Sequence, residues 1–170
     1  MFKIGSITAY PTDTSFGLGV RADDVAGLEA LYALKQRPST KYTSLMVRDW
    51  AMLEQFADIP PELPQDFFST QPRTALLKPK NTLPESEFWP GDKVGFRVCQ
   101  NPDVAAAIEY PITATSANLS GEPNIYDPQK IIEQWGNKVE LFPESKALDP
   151  NIAPSEIWDY TNPARLERIR

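Results

Sequence analysis

Strands alternating with capped helices predict an α/β protein, and length and composition predict one domain across residues 1–170. A chain of 170 residues can bury a sizeable core, and 41% hydrophobic with 11% aromatic residues is ordinary for a globular protein. Seventeen prolines against eight glycines mean many short elements separated by stiff turns.

The elements follow in order. Residues 5–10 alternate and stop at Pro11, which reads as a strand entering the loop 11–19. Asp23 or Asp24 caps the next helix, whose Val25, Leu28, Leu31, Tyr32 and Leu34 recur at helical spacing until the break before Pro38. Residues 43–47 read as a buried strand and 49–56 as a short helix. Pro60, Pro61 and Pro64 lead into a helix expected over 64–69. Two strands, 74–78 and 93–98, are joined by a long proline-bearing loop. Pro102 and Asp103 open a helix reaching Ile108, and 112–114 form another buried strand before the loop 115–121. Asp127 starts a helix ending near Trp135, and the tail carries weak strands at 156–159 and 165–169. Polar loops after the first strand and after 112–114 would stand at strand ends, where open α/β sheets usually bind ligands.

Composition narrows the chemistry. A formal charge of −6, from 17 Lys and Arg against 23 Asp and Glu, argues against broad nucleic-acid binding but permits a local cationic pocket. The single cysteine, Cys99, excludes an internal disulfide framework and a cysteine-cluster zinc site; its apolar surroundings read as core. The absence of histidine excludes Ser–His and Cys–His nucleophile pairs and histidine general bases. Lys, Arg, hydroxyls, carboxylates, backbone amides or a bound metal ion must then carry any catalysis. Phosphoryl and nucleotidyl transfer suit that inventory, because there the protein mainly positions groups and neutralises charge. No segment approaches about 18 consecutive apolar residues, and no signal pattern opens the chain, so a cytoplasmic protein without membrane association is expected.

Four motifs stand out, each with a plainer reading beside it. Gly17-x-Gly19 lacks the third glycine of a dinucleotide fingerprint and reads first as a tight turn. Thr12, Asp13 and Thr14 either close a local turn or present hydroxyls and a carboxylate to a ligand. Lys35 and Arg37 either complement a helix C-terminus or form a two-pronged anion clamp. Thr115-Ser116-Ala117-Asn118 either turns the chain or wraps an anion with small donors. Pro154-Ser155-Glu156-Ile157 adds a rigid turn and a hydroxyl.

In order and spacing these pieces resemble the YrdC family. Residues 10–19 are similar to its opening Pro-Thr-Asp-Thr-x-Tyr-Gly-Leu-Gly, and Lys35-Gln36-Arg37-Pro38 to its Lys-x-Arg-Pro. Ser116-Ala117-Asn118 resembles its Ser-x-Asn loop, residues 154–159 its Pro-Ser-x-Ile-x-Asp, and Arg168 the arginine of its closing motif. The resemblance implies a twisted open mixed sheet with helices around a concave ligand groove. It also implies a synthase that combines L-threonine, bicarbonate and ATP, with Mg²⁺, into threonylcarbamoyl-AMP and pyrophosphate. A separate threonylcarbamoyl-transferase complex then modifies tRNA. On this basis Lys35 and Arg37 are the catalytic cations, Thr12, Thr14, Ser116 and Asn118 bind substrate, and Ser155 and Arg168 lie near the nucleoside.

Some positions depart from the pattern. Phe16 stands where tyrosine is common, Thr70-Gln71-Pro72-Arg73 replaces a Trp-Pro-Gly-Pro stretch, and the ending reads Arg168-Ile169-Arg170 rather than Arg-x-Gly. Residues 43–49 have some likeness to a YciO-type branch without clear synthase activity. That branch tends to lose the Lys-x-Arg pair and Ser-x-Asn loop, which this chain keeps. A nonenzymatic RNA-binding module of the same fold is a further alternative.

Overall fold

A hairpin opens the sheet. In the computed structural model, which describes residues 1–162 and 166–170, β1 (Thr8–Pro11) pairs antiparallel with β2 (Phe16–Gly19). The loop expected over 11–19 is therefore shorter, because its second half pairs with β1 on one side and β6 on the other. Four residues, two of them glycine, leave no alternation to betray such a strand. Both glycines are explained by rings. A Cβ on Gly17 would lie 3.0 Å from Tyr10, and one on Gly19 would lie 2.8 Å from Phe2. The Gly-x-Gly pair makes room for aromatic side chains packed across the hairpin.

The remaining strands are β3 (Ser44–Val47), β4 (Arg73–Leu77), β5 (Val94–Val98), β6 (Ile112–Ser116), β7 (Glu140–Leu141), β8 (Glu156–Asp159) and β9 (Glu167–Arg168). Their spatial order is β7-β1-β2-β6-β3-β5-β4-β8-β9, an open mixed sheet of nine strands among the described residues. The pairs β1–β7, β3–β5 and β4–β8 are parallel, and the others are antiparallel.

Helix α1 (Val25–Leu34) is capped by Asp24, whose carboxylate accepts the amides of Gly27 and Gly5 at 2.9 and 2.6 Å. Asp23 instead pairs with Arg21. Leu28, Leu31 and Tyr32 face the core, whereas Val25, expected beside them, is exposed. Asp49 caps α2 (Trp50–Phe56), Asn101 caps α3 (Pro102–Ala106) and Asp127 caps α4 (Pro128–Trp135). Each oxygen satisfies amides that have no partner inside the helix.

The helix expected over 64–69 does not form. That segment is a run of turns with short-range bonds from Phe67 N to Pro64 O and Ser69 N to Asp66 O. Consecutive Phe67 and Phe68 are both buried, with ring centroids 5.0 Å apart. The last strand is confined to β9, and Arg165 of the expected segment lies outside the described residues. Cys99 is buried, as its apolar context implied.

Candidate active site

Strand periodicity decides which side chains line the cleft. Along β3, Leu45 and Val47 point into the core, while Ser44 and Met46 line a cleft on the opposite face. Across the sheet Met46 is opposite Arg97 and Ser44 is opposite Ala114, and both partners line the same cleft. Gly95 precedes Arg97 by two residues on that face. A Cβ there would sit 2.5 Å from Ser44 Oγ, so glycine keeps the floor open. The cleft has a volume of about 360 Å³.

Of the sequence-predicted residues, the cleft brings together Thr12, Thr14, Arg37, Ser116 and Ser155. Thr12 Oγ1 donates to Ser15 O at 2.7 Å and accepts the Thr14 amide at 3.1 Å, closing the β1–β2 turn on itself. Thr12 thus closes the turn and at the same time lines the cleft. Ser155 Oγ lies 3.3 Å from Thr74 Oγ1 across the parallel β4–β8 edge.

Arg37 is held in place. Its Nε and Nη2 donate to the carbonyls of Lys41 and Tyr42 at 2.9 and 2.7 Å, and the guanidinium lies 5.7 Å from the Tyr32 ring centroid. Its remaining N–H groups are available to an anion.

Lys35, Asn118 and Arg168 do not line the cleft. Lys35 is 1% exposed, and its Nζ donates to Ser116 O at 2.5 Å, Asn118 O at 2.7 Å and Asn118 Oδ1 at 3.1 Å. Burial first, and the positive charge of Arg37 second, pull its pKa down to about 7. Asn118 Oδ1 also accepts Ser116 Oγ at 2.6 Å, while Nδ2 donates to Glu122 O at 2.5 Å. Lys35 and Asn118 therefore brace the loop that presents Ser116. Arg168 is more than half exposed and pairs with Glu156 at 2.9 Å.

Two arginines escaped the sequence reading. Arg97 is 9% exposed and ion-paired with Asp13. Arg170 donates through Nε and Nη2 to Ser155 O at 3.1 and 3.0 Å. With Arg37 they give the cleft three guanidinium groups among the described residues. A charge in the otherwise apolar strand 94–98 was the available signal for Arg97, since a buried cation demands a partner. Hydroxyls from Thr12, Thr14, Ser44, Thr74, Ser116 and Ser155 complete a wall suited to phosphate and carboxylate oxygens.

Comparison with known proteins fits that chemistry. The family model for Sua5, YciO and YrdC, described as telomere recombination, matches residues 1–170. The chain belongs to this family. A threonylcarbamoyl-AMP synthase of Vibrio cholerae is 34% identical over 163 residues, covering 91% of this chain and 86% of the relative. P. abyssi Sua5, solved in complex with L-threonine, superposes with a TM-score of 0.83 at 24% identity, covering 98% of this chain. The chain spans half of that longer protein. E. coli YciO matches with a TM-score of 0.81 at 24% identity, covering 98% of this chain and 82% of its own. The two structural matches establish the fold that the sequence implied.

Proposed function

We propose that the chain is an L-threonylcarbamoyladenylate synthase, and the observation that carries this reading is the cleft lined by three arginines and by hydroxyl side chains. The threonine amine attacks CO₂ derived from bicarbonate, giving a carbamate and releasing a proton. A carbamate oxygen then attacks the α-phosphate of ATP, forming threonylcarbamoyl-AMP and expelling pyrophosphate. Negative charge gathers on the phosphates and on the carbamate, and fixed guanidinium groups stabilise it without reorganising.

Within this scheme Arg37 and Arg97 hold phosphate and carboxylate oxygens, with Arg37 already fixed by two carbonyls and Arg97 by Asp13. Thr12 and Thr14 help seat threonine, Ser116 contributes a hydroxyl to the anion site, and Ser155 faces the nucleoside. Lys35 and Asn118 act through the Ser116 loop as positioning residues. Arg168 pairs with Glu156 outside the cleft lining.

No group of three or more carboxylate, cysteine or histidine side chains that could hold a metal occurs among the described residues. The cleft nevertheless suits a nucleotide that brings its own metal, because its lining supplies cations and hydroxyls for phosphate oxygens. Mg²⁺ bound to ATP would supply neutralisation of the phosphate charge. The product passes to a separate transferase complex acting on tRNA, in the cytoplasm. Among the described residues, no helix is long and apolar enough to cross a membrane.

The deciding assay measures pyrophosphate release with ATP, Mg²⁺ and bicarbonate, with and without L-threonine. Threonine-dependent release is expected in wild type, with loss of at least about a hundredfold in a folded Arg37→Ala variant, in line with removal of one fixed charge-stabilising donor. Wild-type turnover in that variant removes the anion-clamp role of Arg37. No turnover in wild type, with neither ATP nor threonine bound, selects the YciO-like reading instead.

A further inference from the structure

Resting on the synthase reading, we infer that Tyr42 stacks on the nucleobase of the bound nucleotide at the mouth of the cleft. Tyr42 is 54% exposed, and among the large exposed hydrophobic residues described it alone lines the cleft. An aromatic ring half in water beside a cationic wall is positioned for a ligand that combines a flat π-face with anionic oxygens. A nucleotide has both.

The ring is exposed, yet its backbone is fixed. The Tyr42 carbonyl accepts Arg37 Nη2 at 2.7 Å, and the preceding Lys41 carbonyl accepts Arg37 Nε at 2.9 Å and Tyr32 Oη at 2.8 Å. On the other side, the Thr43 amide donates to Phe88 O at 2.9 Å. Backbone anchors on both flanks leave the side-chain torsions as the main freedom lost on binding, which makes an aromatic contact inexpensive in entropy.

Volume points the same way. About 360 Å³ is near the small end of ligand cavities. A nucleotide sharing it with an amino acid must therefore extend to the rim. Arg37 couples the two ends of such a ligand, because the guanidinium that faces the anion also holds the peptide carrying Tyr42. Stacking uses the π-face that every base presents, so the ring holds the base without reading its edge.

The test compares ATP with inorganic tripolyphosphate, a ligand that has the phosphates and lacks the base. Dissociation constants are measured by calorimetry for wild type, Tyr42→Phe and Tyr42→Ala. Tyr42→Ala is expected to weaken ATP at least about fivefold, the lower end of base–aromatic stacking, while tripolyphosphate binds as in wild type. Tyr42→Phe should retain ATP affinity, since the ring and not the hydroxyl makes the contact. Equal losses for both ligands in Tyr42→Ala would mean that the loop, rather than the ring, is responsible, and would overturn the inference. Unchanged ATP binding in that variant would overturn it alone. Failure of wild type to bind ATP would overturn it together with the synthase reading.

Discussion

The ammonium of Lys35 is buried among three oxygens of the Ser116–Asn118 loop, and this changes what its charge is for. A neutral amine keeps two N–H donors for the three oxygens, so the tether survives loss of the proton with one hydrogen bond fewer. Unfolded lysine keeps its proton to about pH 10, whereas the buried group releases it near 7. Unfolding therefore takes up a proton between these values, and stability rises with pH there. The contribution is complete above about pH 10 and lost as pH falls through about 7. Urea unfolding of wild type and Lys35→Met at several pH values should give a stability difference that widens from pH 7 to pH 9. A difference that stays flat would mean that the carbonyl ring keeps the lysine charged. The sequence made Lys35 and Arg37 visible together, but spacing could not separate the arginine that lines the cleft from the lysine that braces its wall. The charge of Arg97 in an apolar strand signals that it needs a partner but does not say which one. Its partner Asp13 is brought to it only by the sheet.

At the scale of elements, the local signals that survived folding are those with a local physical cause. Helix starts at Asp24, Asp49 and Asp127 were legible because a carboxylate satisfies nearby amides wherever the chain later packs. What failed depended on distant partners: β2 exists through β1 and β6. The choice between Asp23 and Asp24 belongs here too. Asp24 is buried and accepts two amides, one from α1 and one from Gly5, nineteen residues away. Asp24→Ala removes the cap and leaves the Gly5 amide without its partner. It should cost about 2–4 kcal/mol in urea unfolding, summing a lost cap and an unsatisfied donor. Asp23→Ala breaks only the short-range pair with Arg21 and should cost under about 1 kcal/mol. Equal losses would place the cap, or an equivalent anchor, on Asp23.

For the whole molecule, charge distribution separates a small-anion enzyme from an RNA-binding module. The total is −6, yet the cleft gathers Arg37, Arg97 and Arg170, of which Arg97 is paired with Asp13. Outside it several cations are already paired: Arg21 with Asp23, Arg48 with Asp49, and Arg73 and Arg168 sharing the single charge of Glu156. Nucleic-acid affinity grows with the number of phosphates neutralised along a track, and a track requires unpaired cations spread over a surface. A concave pocket of three guanidiniums can hold the phosphates of one nucleotide but cannot follow a polymer backbone. Gel-shift titration with unmodified tRNA at 0.15 M salt should therefore give binding weaker than about 10⁻⁴ M, the weak edge of nonspecific association. Raising salt should produce no steep loss, because few counterions would be released. Tight binding with a steep salt slope would mean that a cationic track exists outside the cleft, and would favour the RNA-binding reading. Tight binding abolished by tripolyphosphate would instead locate the RNA in the cleft itself.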